Sequence, residues 1–248
     1  MTMLSINTNV GALQAASASY SVNKSMETSM HRLSTGKRIN GAIDDAAGLQ
    51  ISQRITAEVQ GLNQSVRNAA DGQSMLAAAE GGMNEIHTIL LRMRELAVQA
   101  SNGTNSAADR TALDSEFTAL DTEINRIADN TTWGGIVLLD GTFTGATAGR
   151  FQVGPDGSQV ITHSISDMAT SAVSLSTTTN LTTFTKAQSA IAALDIAISY
   201  VATEREQIGA VMNRLDHTIA NLSIVSTQLS LSKGRIEVGI GRGIYGRE

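Results

Sequence analysis

Leu194, Val201, Ile208, Leu215, Leu222, Leu229 and Ile236 recur at every seventh position without a miss. An α-helix turns once in about 3.6 residues, so a seven-residue repeat keeps one apolar stripe on one side of a long helix. Ile198, Met212 and Ile219 fill a companion position four residues later, where Arg205, Ser226 and Lys233 stand elsewhere. The spacing predicts one helix over 184–236, roughly 80 Å long at about 1.5 Å per residue. Burying each large aliphatic in such a stripe contributes on the order of 1.5–3 kcal/mol. These residues are read as a packing seam that zips the helix lengthwise onto another helix, and as the candidate seam for subunit packing.

A second regular run lies upstream: Ile51, Ile55, Val59, Leu62, Val66 and Ala69, then Leu76, Ala79, Met83, Ile86, Leu90, Met93 and Ala97. Its steps of three and four predict another long helix packed along its length. Asp44-Asp45 precedes it and fits an N-cap, where a carboxylate meets free amides and the positive end of the helix dipole. Ser101–Asn105 ends it, and a helix over roughly 107–129 follows, with Leu113, Phe117, Leu120, Ile124 and Ile127. Residues 3–35 form a weaker pattern, with Val10, Leu13, Tyr20, Met26, Met30 and Leu33 as candidate buried positions among Ala, Ser and Thr. Such a helix has little to hold it folded by itself.

Glycines at 134, 135, 141, 145, 149, 154 and 157 then punctuate short runs. Gly154-Pro155-Asp156-Gly157 is a turn signal, because proline presets one backbone angle and glycine tolerates a positive one. Residues 138–170 are expected to form one or two β-hairpins, and the Ser/Thr-rich stretch 171–185 a loop. The fold expected is mainly α: a long antiparallel helical hairpin or bundle, with a small β-hairpin insert at its distal tip.

Composition narrows the function. Aromatics are 3% and Pro155 is the only proline, which suits long uninterrupted helices better than a thick globular core. The formal charge is −5 with acids and bases interspersed, and a nucleic-acid binder would carry a basic patch. No stretch is long and apolar enough to span a bilayer. The N-terminus lacks the features of a secretory signal peptide, which taken alone points to the cytoplasm. Asp44 and Asp45 could be a catalytic pair, but capping explains them better. His31, His87, His163 and His217 lie far apart in sequence, without metal-ligand spacing. The run Gly239–Gly243 neither follows a strand nor opens a helix, so it is no phosphate loop. No catalytic residue, cofactor or metal is expected.

The motifs are specific as well as regular. Ser5–Asn9, Arg32-Leu33-Ser34-Thr35-Gly36-Lys37-Arg38-Ile39-Asn40, Asp44-Asp45-Ala46-Ala47-Gly48-Leu49 and Gly61–Gly72 stand in order. Arg94–Gln99, Gly209–Leu215 and Ser232–Glu237 complete the set. Over nearly the whole chain they resemble bacterial flagellin. The resemblance implies an inner domain of paired terminal helices lining a filament channel, with a helical domain outside it making most subunit contacts. It divides the chain into an N-terminal inner helix and linker (1–43), outer-domain helices (44–137), a β-hairpin and loop insert (138–183), the C-terminal long helix (184–236) and a divergent tail (237–248). It implies a structural subunit of the flagellar filament for swimming motility, secreted and extracellular, exported unfolded by the flagellar export apparatus and assembled under the filament cap. That route removes the need for a signal peptide. Its partners would be other flagellin subunits, with neither nucleic acid nor membrane insertion.

After Ile236-Glu237 the chain departs from the family's acidic, alanine-rich pattern and carries four glycines in its last eleven residues. These disfavour a helix. The tail reads as the product of a shifted reading frame or a truncation, and 3–35 is expected to lack its intrachain partner. The alternative function is therefore a non-polymerising, secreted flagellin-like surface protein recognised by immune receptors. The stretch around Arg92, Leu96 and Glu116 matches the flagellin surface recognised by the Toll-like receptor that senses flagella, with Leu91 where a glutamine is common.

Overall fold

The computed structural model describes residues 9–146, 149–173, 175 and 179–238. Its helices are α1 (Val10–Thr35), α2 (Ala46–Ala100), α3 (Ala107–Asn130) and α4 (Phe184–Val238). Short strands β1 (Thr132–Trp133), β2 (Ile136–Val137), β3 (Arg150–Gln152) and β4 (Val160–Thr162) lie between α3 and α4. The chain separates into two compact units, residues 1–60 with 225–248 and residues 61–224, so the division runs through α2 and α4. The Gly239–Gly243 run and nearly all of the tail lie outside the described residues.

In the first unit, the Asn9 side chain caps α1 by accepting from the Ala12 amide at 3.1 Å. Gly36, at φ 67°, ends the helix in the left-handed conformation that side chains disfavour. The positions expected to be buried on α1 are 56–86% exposed, and no residue of this helix is buried. The apolar stripe is present, but no other described segment covers it.

The linker after α1 is tied down firmly. Ile39 is buried against the start of α2, where a Cβ on Gly48 would meet its Cδ1 at 2.7 Å. Asp45 caps α2 by accepting from the Gly48 amide at 2.8 Å. Asp44 instead closes the linker on itself, accepting from the Asn40 and Gly41 amides at 3.0 and 3.2 Å. The Arg38 and Ile39 amides donate to the Glu237 carbonyl at 2.7 and 3.3 Å. Lys37 pairs with the Glu237 carboxylate at 2.9 Å, and the Ser52 hydroxyl donates to it as well.

In the second unit, α2 and α4 run antiparallel. Arg94 donates to Asp195 at 2.7 Å, Arg205 to Glu80 at 2.6 Å, and Gln73 to the Met212 carbonyl at 3.2 Å. Leu194, Val201, Ile208 and Leu215 are wholly buried, Leu222 is buried, and Leu229 and Ile236 are half-buried. The companion row differs from the expected one. It lies three residues on, at Ala197, Glu204 and Val211, while Ile198, Met212 and Ile219 are half-buried at the flank. Ala187, Ala190 and Ala197 are small enough to let the facing helix approach closely, and large side chains at those positions would hold it off. A capping box between Ser106 and Asp109 starts α3, which buries Phe117, Ile124 and Ala128 in the same core.

The β insert is present but stands elsewhere than at the tip. Three glycines of α2 receive it in turn: a Cβ on Gly82 would come 2.9 Å from Leu139, one on Gly72 2.7 Å from Phe151, and one on Gly61 3.0 Å from Pro155. The chain after α3 therefore descends beside α2, covering a stretch of about 30 Å at 1.5 Å per residue. The insert buries Leu138, Leu139, Phe143, Phe151 and Ile161, and helix flanks cover these better than a helix end would. β3 and β4 pair antiparallel with Phe151 opposite Ile161, both buried. The β1–β2 hairpin begins before the expected range, around Gly134 and Gly135 at φ 57° and 86°. Two positive angles in a two-residue loop match the twist of a hairpin. The stretch expected as a loop at 171–185 is partly core, since Val173, Leu175 and Leu181 are buried.

Candidate functional site

The seam residues zip helices together within the chain. Leu194, Val201, Ile208, Leu215 and Leu222 are consumed by the core of the second unit, against α2 and the insert. A side chain with no exposed surface has none left to bury against a second copy. Leu229 and Ile236 keep partial exposure. Surfaces able to meet another molecule are therefore the apolar residues that folding leaves uncovered.

Among the described residues, the largest such set is on α1. Val22, Met26, Met30 and Leu33 follow steps of four, four and three, which puts them on one face of the helix. Val10, Leu13 and Tyr20 lie on roughly the opposite side of the helix, towards its N-terminal end, and all of these are exposed. Scattered exposed hydrophobes are ordinary, but a contiguous set on a helix with nothing buried marks an association surface.

The second unit carries a smaller mixed patch. Leu91 and Val98, seven residues apart on α2, are exposed and flank a shallow hollow with Arg94, Glu95 and Gln99. Ile196 on α4 is exposed beside Asp195, the partner of Arg94. Sequence reasoning missed this patch because it sought the deepest stripe, although the seven-residue spacing of Leu91 and Val98 was a signal.

Arg92 and Glu116 are brought together across α2 and α3, the guanidinium donating to the carboxylate at 2.8 Å while a second N–H reaches Glu95 at 3.1 Å. The Glu116 and Glu95 carboxylates raise the Arg92 pKa above its ordinary value. Leu96 is corrected from surface to core. It is 1% exposed and packs inside the second unit, because it falls on the inward side of α2 with Met93 and Ala97.

The adjacent carboxylates of the first unit are occupied structurally. The Asn40 amide holds Asp44 below its usual range, and the Gly48 amide does the same for Asp45. Among the described residues, no helix is long and apolar enough to cross a membrane. No group of three or more His, Cys, Asp or Glu among them is placed to hold a metal.

The family model for the bacterial flagellin N-terminal helical region matches residues 6–144, and that for the C-terminal helical region matches 191–238. A flagellin of Halalkalibacterium halodurans is 42% identical over 233 residues, covering 93% of this chain and 84% of that protein. Flagellin A of Vibrio anguillarum is 51% identical over 158 residues, which cover 64% of this chain and 41% of that longer protein. Among solved structures, Bacillus cereus flagellin is similar at a TM-score of 0.52 and 35% identity, covering 63% of this chain and 88% of that one.

Proposed function

The chain belongs to the bacterial flagellin family, and from that premise we propose that it is a structural subunit of an extracellular flagellar filament. Flagellins are structural proteins, so no turnover is assigned to it. The observation that carries the reading is α1, a 26-residue helix with no buried residue and an exposed apolar stripe at Val22, Met26, Met30 and Leu33. Folding leaves that face in water, and packing it against other copies of the chain removes it. Leu91, Val98 and Ile196 supply a second contact area on the other unit. The flagellar export apparatus and the filament cap enter as partners in delivery and assembly. The non-polymerising alternative is not favoured, because the resemblance extends over both the N-terminal and the C-terminal helices.

Seeded sedimentation tests this. The wild-type chain is expected to add to flagellar filament fragments. A Val22→Gln, Leu33→Gln variant should lose most of that addition at an unchanged melting temperature, since both side chains are exposed in the single chain. A wild-type chain that stays monomeric beside competent seeds sinks the reading.

Receptor recognition is a second reading, supported by the exposed Arg92–Glu116 pair on adjoining helices. In this reading Arg92 and Glu116 touch the Toll-like receptor and Leu96 acts only by holding α2 in place. Arg92→Ala and Glu116→Ala should each weaken receptor signalling, and signalling equal to wild type from both would remove it.

A further inference from the structure

The methionines among the described residues differ sharply in exposure. Met26 and Met30 are 56% and 65% exposed, one turn apart on the α1 face with Val22 and Leu33. Met75, Met83, Met93 and Met168 are 7% exposed or less, and Met212 is half-buried. A thioether in water is open to peroxide, whereas one packed in a core is shielded by its neighbours.

We propose that Met26 and Met30 are a paired oxidation site, at which hydrogen peroxide converts the apolar face of α1 into a polar one and blocks subunit addition. A sulfur lone pair attacks one peroxide oxygen, the S–O bond forms and the O–O bond breaks. The departing hydroxide takes the proton from the new S–OH group, leaving a sulfoxide and one water for each peroxide consumed. Sulfur is oxidised and the peroxide oxygen is reduced, with no other reactant.

The consequence follows from position. A sulfoxide is a strong hydrogen-bond acceptor, and burying it without a donor costs free energy that the thioether does not. The pair lies centrally on the stripe, with Val22 before it and Leu33 after it, so a partner helix cannot cover the face without covering both groups. The core methionines are spared, so the second unit stays folded while the contact face is altered. The free subunit is the vulnerable form, because association covers the same sulfurs. The effect on addition rests on the filament reading, while the selectivity of oxidation rests on exposure alone.

The test exposes the full-length chain to dilute hydrogen peroxide, quenches with free methionine, maps sulfoxides by peptide mass spectrometry and measures addition to filament seeds. Sulfoxide should build up at Met26 and Met30 at least about tenfold faster than at Met83, Met93 and Met168. Oxidised wild type should add at least about tenfold more slowly than untreated protein. A Met26→Leu, Met30→Leu variant, which keeps the apolar face, should add equally well before and after peroxide. Even oxidation across all these positions, or oxidised wild type that adds normally, overturns the proposal while leaving the filament reading intact. Equal loss in the leucine variant places the damage elsewhere and also overturns it. Untreated wild type that never adds defeats the filament reading, and the block on addition with it.

Discussion

The ring of Phe151 lies across the backbone of Gly72, so close that a methyl group there would come within 2.7 Å of its Cδ1. Gly72 is in the middle of a 55-residue helix, where glycine is the second-worst choice for helix stability after proline. Its absent side chain is the seat of the β3–β4 hairpin.

Gly72→Ala should therefore destabilise the chain by about 1–3 kcal/mol despite the better helix propensity of alanine, because a buried aromatic must move. Gly81, in the same helix, has nothing within reach of a Cβ, so Gly81→Ala should stabilise by up to about 1 kcal/mol. Thermal unfolding of the two variants checks the pair. A Gly72→Ala protein as stable as Gly81→Ala would mean that the hairpin does not seat there.

Ile208 and Leu229 occupy equivalent places in the seven-residue repeat but not in the structure. Ile208 is wholly buried and Leu229 half-buried. Ile208→Ala is expected to cost about 2–5 kcal/mol and Leu229→Ala roughly half as much. Equal costs in chemical denaturation would contradict the placement of the core.

Glu237 closes the first unit. The Ser52 hydroxyl and the Lys37 ammonium hold its carboxyl below the ordinary 4.5, against a smaller opposing effect of burial. A depressed carboxyl stabilises the fold above its unfolded pKa and loses that contribution as pH falls through the folded value. Hydrogen exchange at the Arg38 and Ile39 amides, both bonded to the Glu237 carbonyl, should accelerate below about pH 4.5 relative to intrinsic rates. Glu237→Gln should show the faster exchange already at neutral pH and lose the acid step. An unchanged pH profile in that variant would count against the clasp.

His163 is buried in the second unit, and burial lowers its pKa from 6.5, with the Glu204 carboxylate partly opposing. Neither His163 Nε2 nor Glu204 Oε2 has a hydrogen-bond partner among the described residues, while the other Glu204 oxygen accepts from Ser166 at 2.8 Å. The unfolded chain takes up the proton first, so stability is whole above about pH 6.5 and declines as pH falls towards the lower folded value. Melting temperatures measured from pH 7.5 to 5 should drop in wild type and flatten in His163→Gln. Parallel curves would show that His163 does not drive the dependence.

The extents of α2, α3 and α4 were legible because the signals are local: a seven-residue repeat, an aspartate before the first turn, a Ser-Asn-Gly break after the last. The family motifs were legible for the same reason. Other features depend on what each surface meets. Nothing in the spacing of Leu194 to Ile236 says whether the stripe is covered by its own chain or by a neighbour, and the fold covers most of it internally. A periodic pattern equally allows a companion row three or four residues on, and small alanines at 190 and 197 decided for three. Leu96 looked like part of a recognition surface until helix packing turned it inward. Gly61, Gly72 and Gly82 carry no local signal of their use, which is to admit the insert that lies across them. Sequence alone determined which segments are helical and which side of each is apolar, since both follow from neighbours along one chain. Tertiary structure decided which apolar sides are satisfied and which, as on α1, stay in water, because burial is a property of two surfaces and a repeat describes only one.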